Sequence, residues 1–156
     1  MSEKTFMQRA IALALKNVQS SHGGPFGALV VKDGKIIAEA TNSVAPTNDP
    51  TAHAEMVAIR ESCKKLRTFQ LAGCEIYGSC EPCLMCLGAI YWSRLDRIYF
   101  AATAADAAKA GFDDSFIYRE ISKPHAHRKI PMVQMMREES LNPFRAWEQK
   151  PDKISY

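Results

Sequence analysis

The sequence predicts an α/β sandwich, with helices on both faces of one sheet. Three observations predict it. Short apolar runs alternate with amphipathic helical stretches, turn residues separate them, and the 156 residues suffice for a single core. At this size about 70% of the unfolded surface is buried on folding.

The elements follow in order. Thr5-x-x-Gln8 resembles a capping box, and Phe6, Ala10, Leu13 and Ala14 share one face, so residues 5–19 are predicted to be a helix. Gly23-Gly24 ends that region. Residues 26–31 and 35–40 read as strands joined at the hairpin signal Asp33-Gly34. Residues 43–50, with prolines at 46 and 50, read as a loop. Residues 52–66 are predicted to be a helix with Thr51 as N-cap and Ala52, Met56, Ile59, Cys63 and Leu66 on one face. Residues 74–79 form a third strand. Pro82 opens a further helix at a position where its missing N–H does no harm. Residues 97–102 are a fourth strand and 104–110 a helix broken by Gly111. Residues 132–135 are a candidate fifth strand, and 138–149 a partly helical tail.

Composition narrows the function classes. Hydrophobic residues at 47% and charged residues at 24% match a soluble globular protein. No basic n-region is present, and the apolar run from Ala10 to Leu15 is too short to span a membrane. Five cysteines, an odd number, argue for a reducing, cytoplasmic setting and metal chemistry rather than a disulfide framework. A net charge of +3 does not demand a nucleic acid partner. The one dense basic run, residues 123–129, reads as a solvated loop, and its His125-Ala126-His127 is a weak metal signal.

Two segments carry chemistry. Pro50-Thr51-Ala52-His53-Ala54-Glu55 and Glu81-Pro82-Cys83-Leu84-Met85-Cys86 read His-x-Glu, a gap, then Pro-Cys-x-x-Cys. That pattern is the signature of zinc-dependent nucleobase deaminases. Three protein ligands leave a position on zinc for water, the arrangement of a catalytic site. Cys83 and Cys86 fall on one helix face, near an N-terminus that favours thiolates. His53 and Glu55 are about 200° apart around a helix, so they converge only at a first turn. Glu55, beside a zinc-activated water, can take a proton and hand it to a leaving amine. Singly, His53 reads as a core histidine, Glu55 as a helix-dipole partner and the cysteines as half of a zinc ribbon. The conjunction removes the ribbon, because Cys63 and Cys74 lack the spacing of a second ligand pair. Cys80 reads as a packing residue rather than a ligand.

With these motifs the chain resembles the cytidine deaminase-like superfamily, and within it the small, zinc-dependent bacterial guanine deaminases. The resemblance rests also on Gly23-Gly24-Pro25-Phe26-Gly27-Ala28, Asn48-Asp49-Pro50, Cys86-Leu87-Gly88-Ala89-Ile90-Tyr91-Trp92 and Ala110-Gly111-Phe112-Asp113-Asp114-Ser115-Phe116-Ile117-Tyr118. Pro143-Phe144-x-Ala146-Trp147 and Tyr156 extend it to the end of the chain. Leu84 departs from the family, which usually has proline between the cysteines. The resemblance implies a five-stranded mixed sheet in a three-layer α/β/α sandwich and one zinc per subunit on His53, Cys83 and Cys86. It implies hydrolysis of guanine at C2 to xanthine and ammonia, with Glu55 as proton shuttle. It implies Asn42 and Ala54 at the base, and a homodimer in which residues 131–156 swap onto the partner, Tyr156 capping the partner's pocket.

The residues permit some of this directly. An amide such as Asn42 matches the mixed donors and acceptors of guanine, and a carboxylate such as Asp114 accepts from its donors. Asp114 reads equally as a second carboxylate for binding or proton transfer and as a turn carboxylate. Phe26 and Trp92 offer stacking faces for a purine or apolar mass for the core; Phe26 is the favoured pocket wall. The rival activities are tRNA adenosine deamination and cytosine or cytidine deamination on the same zinc site. The rival outside catalysis is a zinc-stapled binding module, for which Glu55 would be dispensable.

Overall fold

The protein is described by a computed structural model over residues 2–156. It divides into two compact units, Met1–Asp114 and Ser115–Tyr156.

In the first unit, helix α1 (Glu3–Gln19) starts two residues earlier than its sequence pattern suggests. Ser2 is the N-cap, and its hydroxyl accepts from the Thr5 N–H at 3.3 Å, so the Thr5 capping box is not used. Strands β1 (Gly27–Lys32) and β2 (Lys35–Thr41) form the expected hairpin, with Asp33 and Gly34 both at positive φ as a primed turn requires. The expected loop after β2 contains a one-turn helix, α2 (Val44–Thr47). Helix α3 (Ala54–Leu66), strand β3 (Cys74–Cys80), helix α4 (Leu84–Trp92), strand β4 (Arg97–Ala102) and helix α5 (Ala104–Lys109) complete the unit.

The strand order is β2-β1-β3-β4, with β1 antiparallel to both neighbours and β3 parallel to β4. A parallel pair needs a crossover, and α4 supplies it. The mixed sheet with helices on both faces is therefore as expected, but among the described residues it has four strands, not five. Residues 132–135 form no strand: Met132, Val133 and Met135 are exposed and no ladder reaches them.

Side chains of β1 alternate between two cores, as the period of two dictates. Ala28 and Val30 pack with Ala54, Ala58, Ile59, Ile76 and Ile90. Leu29 and Val31 pack with Phe6, Ala10 and Tyr77. At Gly27 the sheet lies close against the backbone of α1. A Cβ there would lie 2.5 Å from the Ala10 carbonyl oxygen and 2.8 Å from the Ala14 nitrogen. Gly27→Ala is expected to cost roughly 1–3 kcal/mol, read as a lower denaturation midpoint with an unchanged m-value.

The second unit contains α6 (Ser115–Ile121), a 3-10 turn at His125–His127, α7 (Arg137–Ser140) and α8 (Asn142–Gln149). Helix α6 has no counterpart in the sequence expectations. None of its described residues is buried. The basic run is tied locally: Lys123 pairs with Glu120, and Arg128 donates to the carbonyls of Ile121 and Lys123. No helix among the described residues is long and apolar enough to cross a membrane.

Candidate active site

Two helix N-termini converge here. His53 is the N-cap of α3 in extended backbone, and Cys83 is the N-cap of α4. The N-cap of α3 is thus His53, not Thr51. Thr51 lies in a turn made by Asp49, whose Oδ1 accepts from the Thr51 N–H at 2.8 Å and hydroxyl at 2.7 Å. Arg60 donates to the Thr51 hydroxyl at 3.1 Å, and the His53 N–H donates to the Thr51 carbonyl at 2.9 Å. The turn leaves His53 outside the helix, which resolves how it and Glu55 reach one point.

His53 Nδ1 lies 3.5 Å from Cys83 Sγ and 3.5 Å from Cys86 Sγ. All three ligand atoms lie within 4.8 Å of one another. Tetrahedral zinc with ordinary Zn–N and Zn–S lengths sets its nitrogen and sulfur ligands about 3.6 Å apart. The triad therefore fits zinc in donor type and in spacing.

The electrostatics suit the same reading. The Cys83 thiol is held down at about 4, first by its hydrogen bond with Cys86 and also by His53, against the opposing effect of burial. Cys86 is pushed up, first by that same bond to Cys83 and then by burial. His53 is raised, first by its bond to Cys83. Glu55 is 7% exposed, and burial pushes its carboxyl up. Its Oε2 lies 3.6 Å from Cys86 Sγ, so the carboxyl sits against the ligand cluster without belonging to it.

The other expected residues fall in different places. Asn42 follows β2 directly; its N–H donates to the Phe26 carbonyl at 3.0 Å. The next N–H, of Ser43, donates to the Ala52 carbonyl at 2.9 Å, tying this stretch to the His53 turn. The Phe26 ring and the Asn42 carboxamide flank Gly24, where a Cβ would lie 3.4 and 3.6 Å from them. Phe26 also meets the Phe112 ring edge-on at 5.0 Å and packs against the main core. Ala54 is wholly buried at the first position of α3. Asp114 is half-buried; burial raises its carboxyl, and the Cys83 charge adds to the effect. Trp92 lies farther along α4. It ends α4, nine residues and about 13 Å of helix from Cys83, is 64% exposed, and carries Arg94 over its ring. Tyr156 lies in the second unit and is 73% exposed. Cys80 is outside the ligand triad; its thiol faces the Thr103 carbonyl at 3.6 Å. Asn17 is a residue that sequence reasoning missed, a buried amide on the apolar face of α1.

A mixed sheet that brings a histidine, two cysteines and a buried glutamate to two helix starts defines the scaffold of a zinc-dependent deaminase. The chain belongs to that family, since the description "Cytidine and deoxycytidylate deaminase zinc-binding region" matches residues 1–102. It is 55% identical to guanine deaminase of Bacillus subtilis over 156 residues, the whole of both chains. It superposes on the X-ray structure of that B. subtilis protein with a TM-score of 0.97, covering 100% of this chain and 99% of that one. A guanine deaminase structure from Nitrosomonas europaea follows at 36% identity and TM-score 0.68, covering 72% of this chain and 66% of that one. The tRNA-specific adenosine deaminase of Aquifex aeolicus is 44% identical over 102 residues, 65% of this chain and 67% of that protein.

Proposed function

We propose that this protein hydrolyses guanine at C2, releasing ammonia and leaving xanthine, with Glu55 as the proton carrier. The observation that carries the reading is Glu55 itself, a buried carboxyl beside a zinc-type His-Cys-Cys triad, in a chain alike over its full length to a guanine deaminase. Likeness to the guanine deaminase is 55% over the whole chain, against 44% over 65% of it and 35% over 81% of it for two tRNA-specific adenosine deaminases, which supports the free base over tRNA.

His53, Cys83 and Cys86 would hold the metal. Zinc bound there would supply Lewis acidity that makes water a nucleophile near neutral pH. Glu55 takes a proton from the attacking water and delivers it to the departing amino nitrogen, so that water and guanine become xanthine and ammonia. A carboxyl whose proton affinity is raised by burial is suited to both transfers. Asn42 binds the base edge through its carboxamide, Phe26 walls the ring, and Ala54 backs the site without filling it.

Asp114 serves as a second carboxylate toward the donors of guanine. Asp114→Asn is expected to lower kcat/KM by roughly 10- to 100-fold with full zinc content. Wild-type kcat and KM in that variant would reduce Asp114 to a turn residue.

Residues 131–156 swap between the subunits of a homodimer, and Tyr156 closes the partner's pocket. The second unit supports this reading, because its Ile130, Val133, Met135, Met136 and Phe144 are exposed and none of its described residues is buried. A dimer in analytical ultracentrifugation that dissociates when 131–156 is deleted is the expected result. The setting proposed for the enzyme is the cytoplasm. The reading as a whole is tested by ammonia release from guanine against adenine, cytosine and cytidine.

A further inference from the structure

We infer that Asn17 is a positioning residue for base recognition, setting the place of Asn42 through its backbone without touching substrate. The inference rests on the base contact proposed for Asn42. Asn17 is 3% exposed on the last buried turn of α1, where a polar side chain is costly unless its hydrogen bonds are made. Its Nδ2 donates to two carbonyls at once, Gly24 at 2.9 Å and Asn42 at 3.0 Å. Its own carbonyl accepts from the His22 N–H at 3.1 Å and the Ser20 hydroxyl at 3.2 Å. One residue thereby joins the end of α1, the Gly23-Gly24 loop and the residue that follows β2.

The joint is tight. A Cβ on Gly23 would lie 2.4 Å from the Asn42 carbonyl oxygen and 3.0 Å from Asn17 Nδ2. The Gly24 and Asn42 oxygens accept from the same nitrogen, so they face one another across it. Without that nitrogen the Gly24 carbonyl keeps only the Phe26 N–H at 2.8 Å, the Asn42 carbonyl loses the donor that joins it to Gly24, and the two oxygens repel one another, so the segments separate. Asn42 has its backbone held from both sides, by Asn17 at its carbonyl and by Phe26 at its N–H. Its Oδ1 accepts a longer bond from the Val44 N–H at 3.4 Å, so the carboxamide takes its place chiefly from the main chain. A displacement of about 1 Å at such a group can cost on the order of 10²-fold in rate.

The test is a double-mutant cycle of Asn17→Ala and Asn42→Ala, with KM and kcat for guanine and zinc content measured on each protein. Asn17→Ala alone is expected to raise KM roughly 10- to 100-fold with full zinc content, and to change KM by less than about twofold once Asn42 is alanine. An equal rise in both backgrounds overturns the inference, because the residue then acts on the enzyme generally. A normal KM in Asn17→Ala, with Asn42→Ala impaired, overturns the inference alone. A normal KM in Asn42→Ala overturns the base contact itself, and the inference with it. Should Asn17→Ala not fold, Gly23→Ala takes its place in the cycle, because its Cβ displaces the same Asn42 carbonyl; the same outcomes decide.

Discussion

Glu55→Gln is expected to lower kcat by roughly 10²–10⁴-fold, the range for loss of a positioned acid–base group. The substitution keeps the shape of the side chain and removes its capacity to exchange a proton. Zinc content is expected to stay full, because the three ligand atoms belong to His53, Cys83 and Cys86. KM is expected to change much less than kcat, because the lost interaction is made in the transition state. Steady-state kinetics beside metal analysis checks both. A variant that keeps kcat within tenfold of wild type removes Glu55 from the proton path.

Cys86→Ala is expected to abolish turnover and zinc binding together. Cys86 is wholly buried at the third position of α4, 3.5 Å from His53 Nδ1, and alanine leaves only two ligands. Two ligands do not hold zinc against competing buffers, and the stabilisation that metal binding gives the fold is lost with it. The thermal midpoint is therefore expected to fall. Cys80→Ala is the matched control: its thiol points at Thr103, so zinc content should remain full. The ligands must shed protons to bind metal, and Cys86, whose pKa is pushed up, holds its proton more tightly than an ordinary thiol. Zinc affinity is accordingly expected to rise with pH and uptake to release protons, measurable by titration in buffers of different ionisation enthalpy.

The ligand set was legible in the sequence because its chemistry is local: His53-x-Glu55 and Cys83-x-x-Cys86 carry their spacing with them. The four strands of the sheet were legible for the same reason, each being an apolar run between turn residues. What failed depended on partners that a sequence does not display. Thr51 is the stronger N-cap by preference, yet the Asp49 carboxylate takes its N–H and hydroxyl, and the cap passes to His53. Residues 132–135 have strand composition, but a strand exists only where another backbone completes its ladder. Asn17 gave no sequence signal: one amide on an apolar helix face reads as solvent-facing until its two carbonyl partners, from distant segments, are seen.

The central claim, a zinc-dependent hydrolysis of guanine driven through Glu55, is tested most directly by ammonia release from the purified, zinc-loaded protein. Guanine, adenine, cytosine, cytidine and a tRNA anticodon stem-loop are the substrates, and Glu55→Ala is the control. The account predicts conversion of guanine to xanthine with the others near background, and loss of that conversion in the control with zinc retained. Silence on guanine with turnover of another member would contradict the base assignment, and full activity in the Glu55→Ala control would contradict the mechanism.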